Sequence, residues 1–138
     1  MKMKLIDVNI PNYGMIKGRD SLNIVEMKSL NPRTIELILS LHTGIKNKYK
    51  YLKIIFVGVI LYKVFDENIR GLLTEEEFDM HAKSNAESVF MEVEDSNLVK
   101  KNIGVYGNEN LRHLIIETYD FKIESLCENV IIEDFKVC

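Results

Sequence analysis

The segment Leu52-Lys53-Ile54-Ile55-Phe56-Val57-Gly58-Val59-Ile60-Leu61-Tyr62 decides the fold. Apolar residues fill both alternating sets of positions through its middle. It therefore reads as part of a long strand, residues 50 to 65, buried on both faces. Such a strand belongs at the centre of a layered domain, and the core is expected around residues 52 to 62. Gly58 interrupts the run. A glycine inside a strand marks a bulge or a close approach of another backbone. The most apolar part, Ile54 to Tyr62, is nine residues long, well short of the about 20 that a membrane-crossing helix needs.

Upstream, Ile35, Leu37, Leu39 and Leu41 alternate with Thr34, Glu36, Ile38 and Ser40, a half-buried strand of period two. Residues 3 to 10, with Ile6, Val8 and Ile10 on one side, read as an opening strand that Pro11 and Gly14 stop, and Leu22 to Met27 reads as a strand before the Asn31-Pro32 turn. Downstream, Thr74-Glu75-Glu76-Glu77 has the form of a capping box and predicts a short helix over about 75 to 84. Ser88 to Glu94 alternates, with Val89, Met91 and Val93 on one side and Phe90 opposite, and Asp95 or Ser96 is placed to cap a short helix through Lys101. Residues 112 to 126 read as another long strand, with Ile115, Tyr119, Phe121 and Ile123 on one face. Glu128-Asn129 then reads as a hairpin turn before a last strand over 130 to 137. Six to eight strands with connections too short for βαβ crossovers imply a β-rich α+β fold. The expected architecture is a mainly antiparallel sheet or β-sandwich, in one domain of 138 residues, with one or two short helices.

A chain with 46% hydrophobic and 28% charged residues, 2 Pro and 7 Gly is neither disordered nor fibrous. Two cysteines, Cys127 and Cys138, make no disulfide scaffold and no zinc-ligand spacing. The formal charge of −3 is unevenly spread. Residues 1 to 70 carry a net +6 and residues 71 to 138 a net −9. Within 74 to 95, Glu75, Glu76, Glu77, Asp79, Glu87, Glu92, Glu94 and Asp95 face one base, Lys83. A field of that sign repels nucleic acid and attracts a basic protein partner. A solvated acidic surface explains the same composition. The N-terminus, with Asp7 and no apolar stretch before it, is not a signal peptide, so a cytoplasmic protein with no membrane association is expected. Lys outnumbers Arg 14 to 4 and Ala occurs only twice, usage that points to an AT-rich bacterial genome.

No GxSxG, HExxH, GxxxxGK[ST] or GxGxxG pattern occurs. His42, His81 and His113 are far apart and read as single surface histidines, so neither a metal nor another cofactor is expected. Glu92 and Glu94, at i and i+2 of a strand, share a face. Paired carboxylates serve glycoside hydrolysis or cation binding, but here a polar solvent face accounts for the spacing. Cys127 at a strand end reads as a small buried or edge thiol. Lys46, Lys48, Lys50 and Lys53 interleave with Tyr49 and Tyr51, the composition of a single-strand nucleic-acid platform. Lysines guarding an apolar strand against aggregation give the same text, and the acidic C-terminal half favours that reading.

The Phe56-Val57-Gly58-Val59 core, its continuation into Tyr62 and Asp66-Glu67-Asn68-Ile69, and the closing pair Tyr119 to Ser125 and Val130 to Val137 resemble a group of small bacterial proteins. Some of these are encoded beside contact-dependent or secreted toxins as immunity proteins. Where their final hairpin often carries Ser-Ser-x-Gly, this chain has Ser125-Leu126-Cys127-Glu128. The resemblance implies binding without catalysis and assigns no residue. Two functions follow as expectations. The first is a non-catalytic protein-binding domain that neutralises a toxin, with Glu75, Glu76, Glu77, Glu92, Glu94 and Asp95 as the contact surface. The second is a small enzyme or ligand-binding barrel whose site assembles from scattered residues such as Glu92, Glu94, His113 and Tyr119.

Overall fold

Among the described residues the chain forms nine strands and one helix. The computed structural model describes residues 4–8, 10, 16, 22–42, 49–66, 88–106, 110–119 and 121–135. In chain order they form β1 (Lys4–Asp7), β2 (Leu22–Asn31), β3 (Thr34–His42), β4 (Tyr49–Val57), β5 (Leu61–Asp66), β6 (Phe90–Glu94), α1 (Asn97–Tyr106), β7 (Arg112–Glu117), β8 (Phe121–Cys127) and β9 (Asn129–Phe135). One sheet has the order β1-β6-β7-β8-β5 and the other β2-β3-β4-β9, and every strand pair is antiparallel. The fold is thus a β-rich α+β fold of mainly antiparallel sheet.

The core lies between the two sheets. Leu37, Leu39, Leu41, Leu52, Ile54 and Phe56 of the four-stranded sheet pack with Phe90, Leu114, Ile116, Ile123 and Cys127 of the five-stranded sheet. Leu37, Leu39 and Leu41 face the core as the alternation of β3 predicts, but Glu36 and Ile38 of the other set are buried as well, so the middle of β3 is covered on both faces and not half-buried. The long 50–65 strand is divided. β4 and β5 lie in different sheets, and the chain passes between them at Gly58 to Ile60. Inward positions run Leu52, Ile54 and Phe56, then Val59, then Tyr62 and Val64. The steps of three at the crossing explain why both alternating sets looked buried.

β8 and β9 make the same crossing at Glu128, and β5 pairs with β8 while β4 pairs with β9. The two long segments therefore run side by side through one corner. There the Glu128 N–H donates to the Val57 carbonyl at 3.0 Å and the Ile60 N–H to Leu126 at 2.8 Å. The expected hairpin turn at Glu128-Asn129 is thus a sheet-switching bend. β6, β7 and β1 extend one sheet beyond β8, and β3 and β2 extend the other beyond β4.

Gly58 sits at this corner with φ +67°, a left-handed conformation that residues with a Cβ adopt at a cost. A Cβ there would lie 2.6 Å from Cγ and Cδ of Glu128. The expected close approach is real, and its partner is a side chain. Arg33, in the β2–β3 turn, ties the corner: its carbonyl accepts from Val59 N–H at 2.9 Å, and its Nη2 reaches the Glu128 carboxylate at 3.3 Å.

The strand expected over 112 to 126 is instead β7 and β8, joined where the Thr118 N–H and Oγ1 donate to the Phe121 carbonyl at 2.8 and 2.9 Å. Ile115 consequently faces away from the inter-sheet core that Ile123 enters, because Ile116, not Ile115, pairs with Ile123. The helix expected over 75 to 84, the loop around Lys46 and Lys48, His81 and Cys138 lie outside the described residues.

Candidate functional site

The most organised polar group in the described residues is built on β7, β8, β5 and the start of α1. His113 sits on the face of its sheet opposite Leu114 and Ile116, and so on the side away from the inter-sheet core, where α1 approaches β7. Ser96 caps α1, as its position after β6 predicts: its Oγ accepts from the Val99 N–H at 3.2 Å. The same Oγ lies 2.7 Å from His113 Nδ1. On the other side of the ring, Nε2 is 2.7 Å from Glu124 Oε2, and Glu124 Oε1 is 2.8 Å from Lys63 Nζ. His113 and Glu124 are neighbours on one face because His113 pairs with Leu126, two residues along β8 from Glu124, and Lys63 stands directly opposite Glu124 on β5.

Ser96, His113 and Glu124 are each no more than 5% exposed, so only Lys63 reaches solvent. Burial alone would push the Glu124 carboxyl up. The hydrogen bonds from His113 and Lys63, with the positive charge both bring when protonated, outweigh it and hold the group down to about 2. The Glu124 carboxylate accepts from the His113 Nε2–H. Ser96 Oγ, which accepts from the Val99 N–H, makes the hydrogen bond with His113 Nδ1. Every polar atom in the chain Lys63–Glu124–His113–Ser96 has a partner.

A second charged pair lies on the opposite face. Arg112 Nε and Nη2 hold both Glu92 oxygens at 3.1 and 2.7 Å, a bidentate pair. The hydrogen bond to Glu92 raises the Arg112 pKa further, against the effect of burial. Beside it, Cys127 is fully buried and its thiol is pushed up by burial. The Ser125 hydroxyl, also buried, has no hydrogen-bond partner.

These positions correct two sequence expectations. Glu92 is not on a solvent face: it shares the inner side of its sheet with Phe90 and is half-buried, because Arg112 neutralises it. His113 is not a surface histidine. Its chain of partners sits 17 and 11 residues away in sequence, at spacings no local motif carries. The only local sign of it was Ser96 as a cap candidate. The thiol of Cys127 is buried, as its small size at a strand end implied.

The residues of the scattered-site reading do not converge. His113 and Glu92 point to opposite faces of one sheet, Glu94 is exposed at the end of β6, and Tyr119 is half-exposed in the turn beyond β7. Of the acidic surface, Glu75, Glu76 and Glu77 lie outside the described residues. Glu92 is held by Arg112, Glu94 is exposed, and Asp95 is half-buried with φ +57° just before α1. Among the described residues no group of three or more His, Cys, Asp or Glu side chains is arranged to hold a metal ion. No described helix is long and apolar enough to cross a membrane. No family model, curated protein or solved structure matches the chain.

Proposed function

We propose that this chain is a non-catalytic protein-binding domain that masks a basic partner in the bacterial cytoplasm, as an immunity protein neutralises its toxin. The observation that carries the reading is the closure of the Ser96–His113–Glu124 chain. Ser96 is 4% exposed and its hydroxyl is occupied by a helix cap and an imidazole, so the group that most resembles catalytic machinery is spent on holding α1 to the sheet. A nucleophile needs a reacting atom within reach. The excess negative charge of the 74–95 segment, with exposed Glu94 at its described end, supplies long-range attraction for a basic macromolecule.

A second reading, a small hydrolase, is favoured by one feature: the two 2.7 Å steps from serine to imidazole to carboxylate. One experiment separates them. The full chain is used to capture partners from cells of its source at low and at high salt, beside the variants E75K/E76K/E77K and E94K/D95K. A strongly basic partner lost at high salt and with both variants supports the binding reading. Hydrolysis of simple esters by the wild type that S96A abolishes supports the enzyme.

A further inference from the structure

Among the described residues the four-stranded sheet ends on β2. Every residue from Val25 to Leu30 is exposed, including Val25 (54%), Met27 (44%) and Leu30 (52%). A long edge strand carrying exposed apolar side chains is a template for another strand. The outer face of the sheet bears a row of alternating charge that stops at this edge: Glu133 to Lys53 at 4.0 Å, Lys53 to Glu36 at 3.3 Å, and Glu36 to Lys28 at 3.3 Å. Lys28 is the last member, so the next strand must present an acid opposite it to continue the row.

We propose that the occupant is β2 of a second copy, paired antiparallel about a two-fold axis at Met27. In that register Glu26 stands opposite Lys28 of the second copy and Lys28 opposite its Glu26, while Met27 meets Met27. A two-fold axis normal to the sheet allows only pairings of residues on the same face, so the register moves in steps of two along the paired sum. The adjacent alternatives place Glu26 opposite Glu26 or Lys28 opposite Lys28, like charges directly facing, which destabilise a sheet. The register centred on Met27 is the one in which both charges are matched and the row continues across the joint. Irregularities at Ile24/Glu26 and Ser29/Asn31 bound the regular stretch of β2, which confines regular pairing about Met27 to Glu26 through Lys28. This self-association is independent of the acidic segment and of the function proposed above.

Sedimentation equilibrium of the full chain, from micromolar to near-millimolar concentration, is expected to show a monomer–dimer equilibrium. E26K and K28E, each checked for native circular dichroism, should each weaken it by about tenfold or more. Mixed together, the two variants should form a heterodimer, since two lysines then face two glutamates. Directly opposed residues on antiparallel strands lie within disulfide reach. M27C in a C138S background should therefore cross-link on mild oxidation, and N23C in that background should not. A chain that stays monomeric at the highest concentration, or folded single variants that fail to associate when mixed, would overturn the proposal.

Discussion

Nδ1 of His113 lies 2.7 Å from the hydroxyl of Ser96, so the residue that begins α1 also orients the imidazole of β7. One oxygen thus serves a helix terminus and a buried histidine together. The cap fixes where α1 starts, and the imidazole fixes where that start sits on the sheet. Glu124 and Lys63 complete the chain outward to solvent.

Removing that oxygen should cost more than a helix cap alone. S96A leaves the Val99 N–H and the buried His113 nitrogen without partners, and a loss of about 2 to 4 kcal/mol is expected from the two effects together. S96T keeps the hydroxyl and should lose less. Urea denaturation of both variants and the wild type measures this.

Acid should unfold the protein partly through Glu124. The carboxyl is held down to about 2 from its usual 4.5. Its contribution is therefore complete above 4.5 and disappears as pH falls through that value toward 2. The linked stabilisation is about 3 kcal/mol. Glu36, lowered against the effect of burial by Lys28 and Lys53, acts in the same direction. Urea midpoints across the acid range should fall for the wild type and fall less steeply for E124Q.

The corner should not tolerate a side chain. G58A forces an alanine to φ +67° and pushes it against Glu128. Glu128 is exposed and can swing away, so most of the expected loss, about 1 to 2 kcal/mol, comes from the backbone conformation. The double variant G58A/E128A should therefore recover little. Full recovery in thermal denaturation would assign the loss to the contact instead.

The inward positions of β4 should be the most sensitive to truncation. Ile54 and Phe56 are both fully buried, and I54A or F56A should destabilise by about 2 to 5 kcal/mol through lost burial and the cavity left behind. I55A, on the other face and half-buried, should cost less. Chemical denaturation of the three variants ranks them.

Signals that act locally are legible in the sequence. The alternation of β3, the special role of Gly58 and the cap at Ser96 each depend on a few adjacent residues. Position in space was harder to read. Phe90, Met91 and Val93 are all buried, so the apolar pattern of β6 does not reveal which face turns toward the other sheet. Glu92 turns toward it because Arg112, 20 residues away, holds it there. A strand that changes sheet at Glu128 has the same residues as one that turns back on itself. Nothing in the order of residues says that His113 meets an acid on the next strand and a hydroxyl ahead of a helix. The charge row across β2, β3, β4 and β9 was equally hidden, because its members belong to four separate segments.

The bend shared by β4–β5 and β8–β9 also sets the order in which the chain can fold during synthesis. Arg33 and Glu128, which close the corner, are 95 residues apart. Among the described strands, β5 has its one neighbour in β8. A nascent chain that has reached β7 holds β5 without the described strand it pairs with, and the inner faces of β3 and β4 without the part of their cover that Ile123 and Cys127 of β8 supply. Completion waits on the C-terminal strands leaving the ribosome. Until then the same leucines and isoleucines that later form the core are what a chaperone would grip.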